Sequence, residues 1–479
     1  MTVFSQTKNQ MKNPSITILM AALPLMVAGC TSTNPKAALS DVNKTVMART
    51  GQQTSGMSND VVNVLLQTNL TAQSAATIAL LNNKSLQADF AEVGISQADV
   101  AQASRLHNIQ LFGSWRFPNQ PPSIVDTGYS AAADILDLLT MPARKKIAAR
   151  NLEQTKLQVA DKVLQLAADM QMAFYKLQSQ AELGKRLSMI VEVNEAAAHI
   201  AQRQFDAGNI NELELHLQQA PAIQSRLDLM KAKAETQMER EHLNRLLGLS
   251  GGQIHWLIAD ELPSLPEKEF PLENLESLAV SQRLDLAAKK QQAESLAAAL
   301  KLKKKTRFIP GVTLGVDTER SPDGQRVTGP TLSLELPIFD QGQPAVAKLA
   351  AEFQQAKNSY EAHEVNVRSE VREAQGALLA AREAVEFSQN NLLPLQKQIF
   401  KETLLHYNAM QKSSYELLAA KEREQMSERS HVEALRDYWI ARVGLESAVG
   451  GRLSGEVSPA SAPVKMDSPP PTEHQNHNR

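Results

Sequence analysis

The chain of 479 residues contains one cysteine, so internal disulfides are excluded. Aromatic residues make up only 4% and glycine is modest, while Ala, Leu, Gln, Glu and Lys are abundant. That balance favours long helices over a β-rich or compact α/β body. A net charge of −2 gives no basis for steering toward nucleic acid. The ten histidines are scattered, and neither an HExxH pair nor a Gly-rich phosphate loop occurs. No catalytic constellation emerges, so neither an enzyme nor a cofactor is expected. No apolar run reaches the length of a transmembrane helix: Ile16–Val27 is of signal-peptide length only.

The single cysteine closes that run. Residues 11–30 read MKNPSITILMAALPLMVAGC, with Lys12 as a basic start. The ending Val27-Ala28-Gly29-Cys30 resembles the bacterial lipobox, in which the cysteine is lipidated and becomes the mature N-terminus. Lipoboxes usually carry Leu where this chain has Val27. The resemblance implies residues 1–29 as signal peptide, Cys30 as the lipid attachment site, and 30–69 as a lipidated extension. Residues 1–10 look superfluous to such a leader, which leaves Met1 and Met11 as alternative starts. Thr31 is not the Asp that retains lipoproteins at the inner membrane, so outer-membrane sorting is expected. One acyl chain anchors marginally, so full lipoprotein modification or a second membrane element is needed.

The rest of the chain repeats itself with an offset near 200. Residues 79–105 are echoed by 278–304, Leu86 by Leu286, and Phe205 by Tyr407. Each copy reads as helix, strand, strand, long helix, turn, long helix. The copies span 70–249 and 276–450, joined by a Pro- and Gly-rich connector, 250–275. The tail, 451–479, reads as Pro-rich disorder. Heptads run through Val159, Val163, Leu166, Met170, Ala173 and Leu177. They recur through Val367, Val371, Ala374, Leu378, Ala381, Val385, Ser388, Leu392, Leu395 and Ile399. The spacing predicts a first rod over Ala143–Gln204, roughly 90 Å at 1.5 Å per residue. Pro394 should kink or locally break the second.

The strands are short and alternate. Ile109, Leu111, Trp115 and Phe117 share one face; so do Val312, Leu314 and Val316; so do Leu332, Leu334 and Leu336. A weaker strand near Gly128–Asp137 alternates Tyr129, Ala131, Ala133 and Ile135, with 319–329 as a polar loop between the last two strands. The fold class is mainly α with a small antiparallel β part. Four strands cannot close a membrane barrel, because open edges are forbidden in lipid. Two chains would give eight strands, an interior filled by side chains; three would give twelve, wide enough for a lumen. The alternative is a soluble sheet capping a coiled coil.

The duplicated pattern, the lipobox, LELPIFDQGQ (334–343) and NNLLPLQKQIFKETLLHYNAMQKSSYELLAAKERE (390–424) together resemble the TolC-type outer-membrane efflux channels. The similarity covers about Leu70 to Gly450. It implies a homotrimer with a twelve-stranded transmembrane β-barrel and a helical barrel projecting into the periplasm. Such a channel is a passive exit duct for drugs, other toxic compounds or metal ions. It docks to a periplasmic adaptor and an inner-membrane pump, which supplies the energy.

The resemblance also assigns the two bends to the periplasmic tip. Ala207, Gly208 and Asn209 in the first, and Ala409, Met410 and Gln411 in the second, are then the adaptor-contact positions. Gly208 and Asn209 end a helix naturally. Met410 stands where the family usually has glycine, so either this turn avoids positive φ or Asn408 or Gln411 takes the strained position. That puts identical tip geometry in doubt. The gate positions implied are Glu214, Tyr407 and Lys412, a carboxylate able to accept from a phenol and an ammonium. Glu416 matches the acid ring at the entrance; the second acid expected one turn later is Ala419. In the tail, Met466, His474 and His477 are weak candidates for soft-metal capture. The competing class is a periplasmic coiled-coil lipoprotein adaptor or scaffold without a pore.

Overall fold

The computed structural model describes residues 35–50, 59–117, 119–121, 125–259, 261–309, 311–321 and 323–453. The leader with Cys30, and Met466, His474 and His477 of the tail, lie outside the described residues.

Two helices, α1 (Pro35–Thr50) and α2 (Asn59–Leu66), precede the first repeat. In α3 (Ala72–Asn82) and α4 (Lys84–Ala103) the chain breaks at Asn83, whose side chain accepts the Leu86 N–H and so caps the second helix. A hairpin of β1 (Gln110–Arg116) and β2 (Asp126–Asp134) follows. Then come the long α5 (Ile135–Asp206) and its return helix α6 (Glu212–Leu247). The second repeat has α7 (Leu275–Gln282), α8 (Leu284–Thr306), β3 (Val312–Arg320) and β4 (Arg326–Leu334). It continues with α9 (Gln343–Phe387), a π-helical turn (Ser388–Leu392), α10 (Leu393–Asn408) and α11 (Ser414–Val449). The four strands form one antiparallel sheet in the order β1-β2-β3-β4. Among the described residues, no helix is long and apolar enough to cross a membrane.

The duplication extends to close contacts. Gly248 and Gly450 end α6 and α11 in the left-handed region, at φ 68° and 90°. A Cβ on Gly248 would lie 2.9 Å from the Asn82 carbonyl oxygen, and one on Gly450 would lie 3.1 Å from the Arg283 Cα. Each return helix therefore closes on the same helix break of its own repeat.

The heptads pack as the sequence predicts along most of their length. Val159, Val163, Met170, Ala173 and Leu177 are buried, as are Val367, Val371, Leu378 and Val385. Beyond the π turn the second stripe fades, and Leu395 is exposed. Pro394 explains the turn. It cannot donate to a carbonyl four residues back, and the helix inserts one residue just before it: the Leu393 N–H donates to the Ser388 carbonyl.

Three boundaries differ from expectation. The first rod begins at Ile135, not Ala143, because the Asp134 carboxylate accepts the Leu136 and Asp137 N–H groups and starts the helix there. Its 72 residues make it about 108 Å long. Ile135 is therefore helical, and β2 stops at Asp134. The loop between β3 and β4 is shorter than 319–329. Ladder pairing continues to Arg320 and Arg326, and Ser321 and Gly324 close the turn by donating to Gln325 and Ser321. Leu336 lies past the end of β4.

The connector straps the repeats together. Trp256 is buried, donates to Asn244 Oδ1 at 2.9 Å and carries the Arg240 guanidinium on its ring. Glu269 accepts from Arg382 at 2.8 Å, from Arg442 at 3.1 Å and from the Tyr438 hydroxyl. Ahead of both repeats, α1 buries Ala38, Val42 and Val46 against α4, α5 and α8.

Candidate channel wall and tip

The strand register places the apolar side chains together. Leu111 faces Ala131, which faces Val316, which faces Pro330. Ala133 faces Leu314, which faces Leu332. Trp115 and Tyr129 lie on this same face with rings 5.8 Å apart, edge to face. The opposite face carries Gln110, Ser114, Ser130, Asp317, Thr331 and Ser333, with Phe112 and Val327 as apolar exceptions. There Arg116 reaches Asp126 at 3.3 Å and Glu319 at 3.4 Å.

Neither face meets the rest of the chain as a core does. Leu111 is 82% exposed and Leu332 70%. A sheet with an exposed apolar face would aggregate in water. In lipid that face is satisfied, and the polar face suits an aqueous lumen. With nine residues each, β2, β3 and β4 approach the roughly 9–11 needed to cross a bilayer at a tilt. The outer sides of β1 and β4 remain unpaired edges.

The helical wall has open edges in the same order. Helix α5 packs against α6 on one side and α11 on the other, and α11 packs against α9 and α10. The flanks of α6 and of α9–α10 are left with exposed apolar residues: Leu213, Leu217 and Ile223 on one, Val365, Phe387 and Leu405 on the other.

At the far end of the wall the two bends have the same backbone design, 202 positions apart. In the first, the N–H groups of Ala207, Gly208 and Asn209 donate to the carbonyls of Arg203, Phe205 and Gln204. In the second, those of Ala409, Met410 and Gln411 donate to Leu405, Tyr407 and His406. Both are Schellman ends, which require a left-handed residue. Gly208 supplies it at φ 74°, and Met410 supplies it itself at φ 59°. The expected alternatives, a turn avoiding positive φ or strain moved to Asn408 or Gln411, are both overturned, and the tip geometry that the sequence left in doubt is the same in both. The hydrogen-bond pattern fixes the torsion whatever the side chain. Asn211 and Ser413 then start the return helices with matching capping boxes closed by Glu214 and Glu416.

What distinguishes the tips is therefore side chain, not backbone. Met410 is 94% exposed. Within one chain Glu214 turns back to the Asn211 N–H at 3.1 Å, while Lys412 Nζ lies 2.5 Å from Glu416 Oε1. Tyr407 is exposed on α10. The structure of a single chain thus does not bring Glu214, Tyr407 and Lys412 together. The Lys412 hydrogen bond, followed by the Ser413 backbone N–H, holds the Glu416 carboxyl down at about 2. A link between repeats that the sequence did not reveal is Tyr415, whose hydroxyl donates to Gln204 Oε1 at 2.6 Å. Burial raises the Tyr415 phenol, and the Glu214 charge adds to that. Further up, Arg186 pairs with Glu428 at 2.6 Å and Asn194 donates to Glu422 at 3.3 Å. These contacts form a polar ladder between α5 and α11.

A second titratable cluster lies where α5, α8 and α9 meet. Asp285 accepts from Arg283 and His363, each at 2.6 Å. Burial works against its charge, but these donors bring it to about 2. Asp161 faces that charge. Burial first and Asp285 second push it up from 3.8 to about 6.

Residues 75–249 match the family model described as "Outer membrane efflux protein". That match makes this part of the chain similar to the outer membrane efflux proteins. The fold agrees over most of the length. The Campylobacter jejuni CmeC outer membrane channel superposes with a TM-score of 0.69 at 18% identity, over 79% of this chain and 85% of that one. The Vibrio cholerae outer membrane protein VceC gives 0.66 at 15% identity, over 80% and 97%. The open state of the Neisseria gonorrhoeae MtrE outer membrane channel gives 0.60 at 18% identity, over 79% and 89%. Curated protein sequences yield no match. The family is one of transport ducts rather than enzymes, and its mainly helical fold with a small antiparallel sheet is the one seen here.

Proposed function

We propose that three copies of this chain close into a passive outer-membrane exit duct, a twelve-stranded barrel continued by a helical tunnel in the periplasm. The observation that carries this reading is the pairing of one exposed apolar sheet face with two open edges. Lipid satisfies the face, and only other copies can satisfy the edges. In an all-antiparallel ring β4 of one copy meets β1 of the next, and α9–α10 of one copy meets α6 of the next. Three copies leave room for a lumen where two would not. Cys30, lipidated, adds the second membrane attachment. The two Schellman tips of each chain present six similar staves to a periplasmic adaptor, which couples the duct to an inner-membrane pump. Drugs, other toxic compounds or metal ions are the cargo class. Links made by Glu214, Tyr407 and Lys412 across neighbouring chains narrow the mouth, and Glu416 rings it. A scaffold without a pore would leave the apolar face in water.

The test is made on purified full-length protein. A detergent-resistant trimer by native mass spectrometry, with discrete single-channel currents in planar bilayers, is expected. A monomeric protein that is soluble without detergent once Cys30→Ser removes the lipid would overturn the reading. The double change Glu214→Ala/Lys412→Ala should raise conductance; unchanged conductance removes these residues from the gate.

A further inference from the structure

We infer that the helix ends just below the sheet form a docking belt for anionic phospholipid headgroups. This inference rests on the membrane-barrel reading above. Nine-residue strands tilted by about 40° span about 23 Å, just under the roughly 25 Å apolar band of an outer-membrane barrel. The missing depth is covered by an apolar collar at the helix end of the sheet. Leu139, Phe308, Ile309, Leu336, Ile338 and Phe339 are all exposed there, Phe339 fully.

Below the collar, the facing ends of α5 and α8 carry charge of one sign. No acid occurs between Asp137 and Glu153, nor between Glu294 and Asp317. Those intervals hold five exposed lysines, Lys145 and Lys146 on α5 and Lys301, Lys304 and Lys305 on α8, with Lys303 half-buried beside them. Contacts of Arg150 with Glu294 at 2.6 Å, and of Asn151 with Ser295 at 2.5 Å, set the antiparallel register of the two helices. Five residues further up each helix, Lys145 and Lys146 come level with Lys301. The three arginines nearby are already engaged, Arg144 by Asp137, Arg150 by Glu294, and Arg307 over the Phe308 ring. Among the described residues, the five lysines have no carboxylate within ion-pair distance.

Lys145 lies ten residues below the start of α5, which is about 15 Å. Lys304 and Lys305 sit higher, in the last turn of α8. That range matches the headgroup zone below a collar that completes the apolar span. Basic clusters beside an apolar membrane segment attract anionic headgroups at roughly 1 kcal/mol per lysine in reach. The occupant that fits both the collar and the belt is a phospholipid with a net negative headgroup. Phosphate alone would leave the collar unused.

The test uses the lipidated full-length protein in nanodiscs of phosphatidylethanolamine, with or without phosphatidylglycerol. Retained lipid is read by native mass spectrometry. The native chain should retain phosphatidylglycerol over phosphatidylethanolamine by about tenfold, less at high salt. The variant with all five lysines changed to Gln should lose that preference while conducting as before, and the five Lys→Arg changes should keep it. Inorganic phosphate, at ionic strength matched with chloride, should not displace the lipid. Equal retention of both lipids by the native chain, or an undiminished preference in the Gln variant, overturns the inference. So does displacement by phosphate alone, or a shift in ion selectivity without loss of lipid preference, which would put the lysines in the lumen. Single-channel recording of the same preparations separates the two readings. Conductance without lipid preference sinks only the belt, whereas absence of conductance sinks the duct.

Discussion

Met410→Gly isolates what the second tip does for the protein. Met410 holds φ 59° and is 94% exposed, so its side chain gains almost nothing from packing within the chain. A left-handed L-residue costs roughly 1–2 kcal/mol relative to glycine. Glycine gives back part of that, about 0.5–1 kcal/mol, through the extra freedom of the unfolded chain. The net expectation is a tip that is unchanged or up to about 1 kcal/mol more stable. Adaptor affinity should move the opposite way. Burying a methionine side chain in a partner is worth about 1.5–3 kcal/mol, or about ten- to a hundredfold in Kd. The mirror change is Gly208→Met. Nothing lies within 4 Å of the Cβ it would add. It should therefore cost about 1–2 kcal/mol by backbone strain alone. Denaturant unfolding with hydrogen exchange at 407–412 reads the stability, and surface plasmon resonance against the adaptor reads the affinity. If Met410→Gly destabilises the assembled protein by more than about 1 kcal/mol, the side chain is packed against a neighbouring copy and this reasoning fails.

Other outcomes follow from the same geometry. Glu416→Gln should weaken cation selectivity and block by trivalent cations in planar bilayers, since the carboxyl it removes stays charged to about 2; unaltered selectivity excludes an acid ring. Leu332→Arg on the apolar face should cost roughly 2–4 kcal/mol at mid-bilayer and abolish the detergent-resistant oligomer in gel analysis, unless that face is not in lipid. Asp161 binds its proton more tightly in the folded chain, at about 6 against 3.8. Its stabilising effect is therefore complete below pH 4 and is lost as pH rises through 6. Asp161→Asn should raise stability at pH 7 by about 1–2 kcal/mol more than at pH 4, measured by thermal unfolding at the two pH values; equal gains would refute the upward shift of the Asp161 carboxyl.

The heptads and the strand alternation were legible because each is a local period, and one apolar side imposes it directly on the sequence. The duplication was legible because the two repeats keep the same order of periods and caps. Legibility ended where one side chain's role depends on a remote segment. Asp134 reads equally well as a strand residue or a cap, and only the path of the backbone after it made it the start of α5. The Tyr415–Gln204 and Asp285–His363 contacts join residues with |i−j| of 211 and 78. No local pattern marks either one. Glu214 was legible as a tip residue, but its capping role required the turn geometry.

By itself the sequence determined a duplicated, mainly helical chain with too few strands to close a barrel, because strand count and apolar period are properties of local order. Tertiary structure alone decided that most apolar side chains of the four strands fall on one face, since that depends on register between distant strands. It also decided the torsion of Met410. The Schellman hydrogen bonds demand a left-handed residue at that position, and the backbone takes it there with or without glycine.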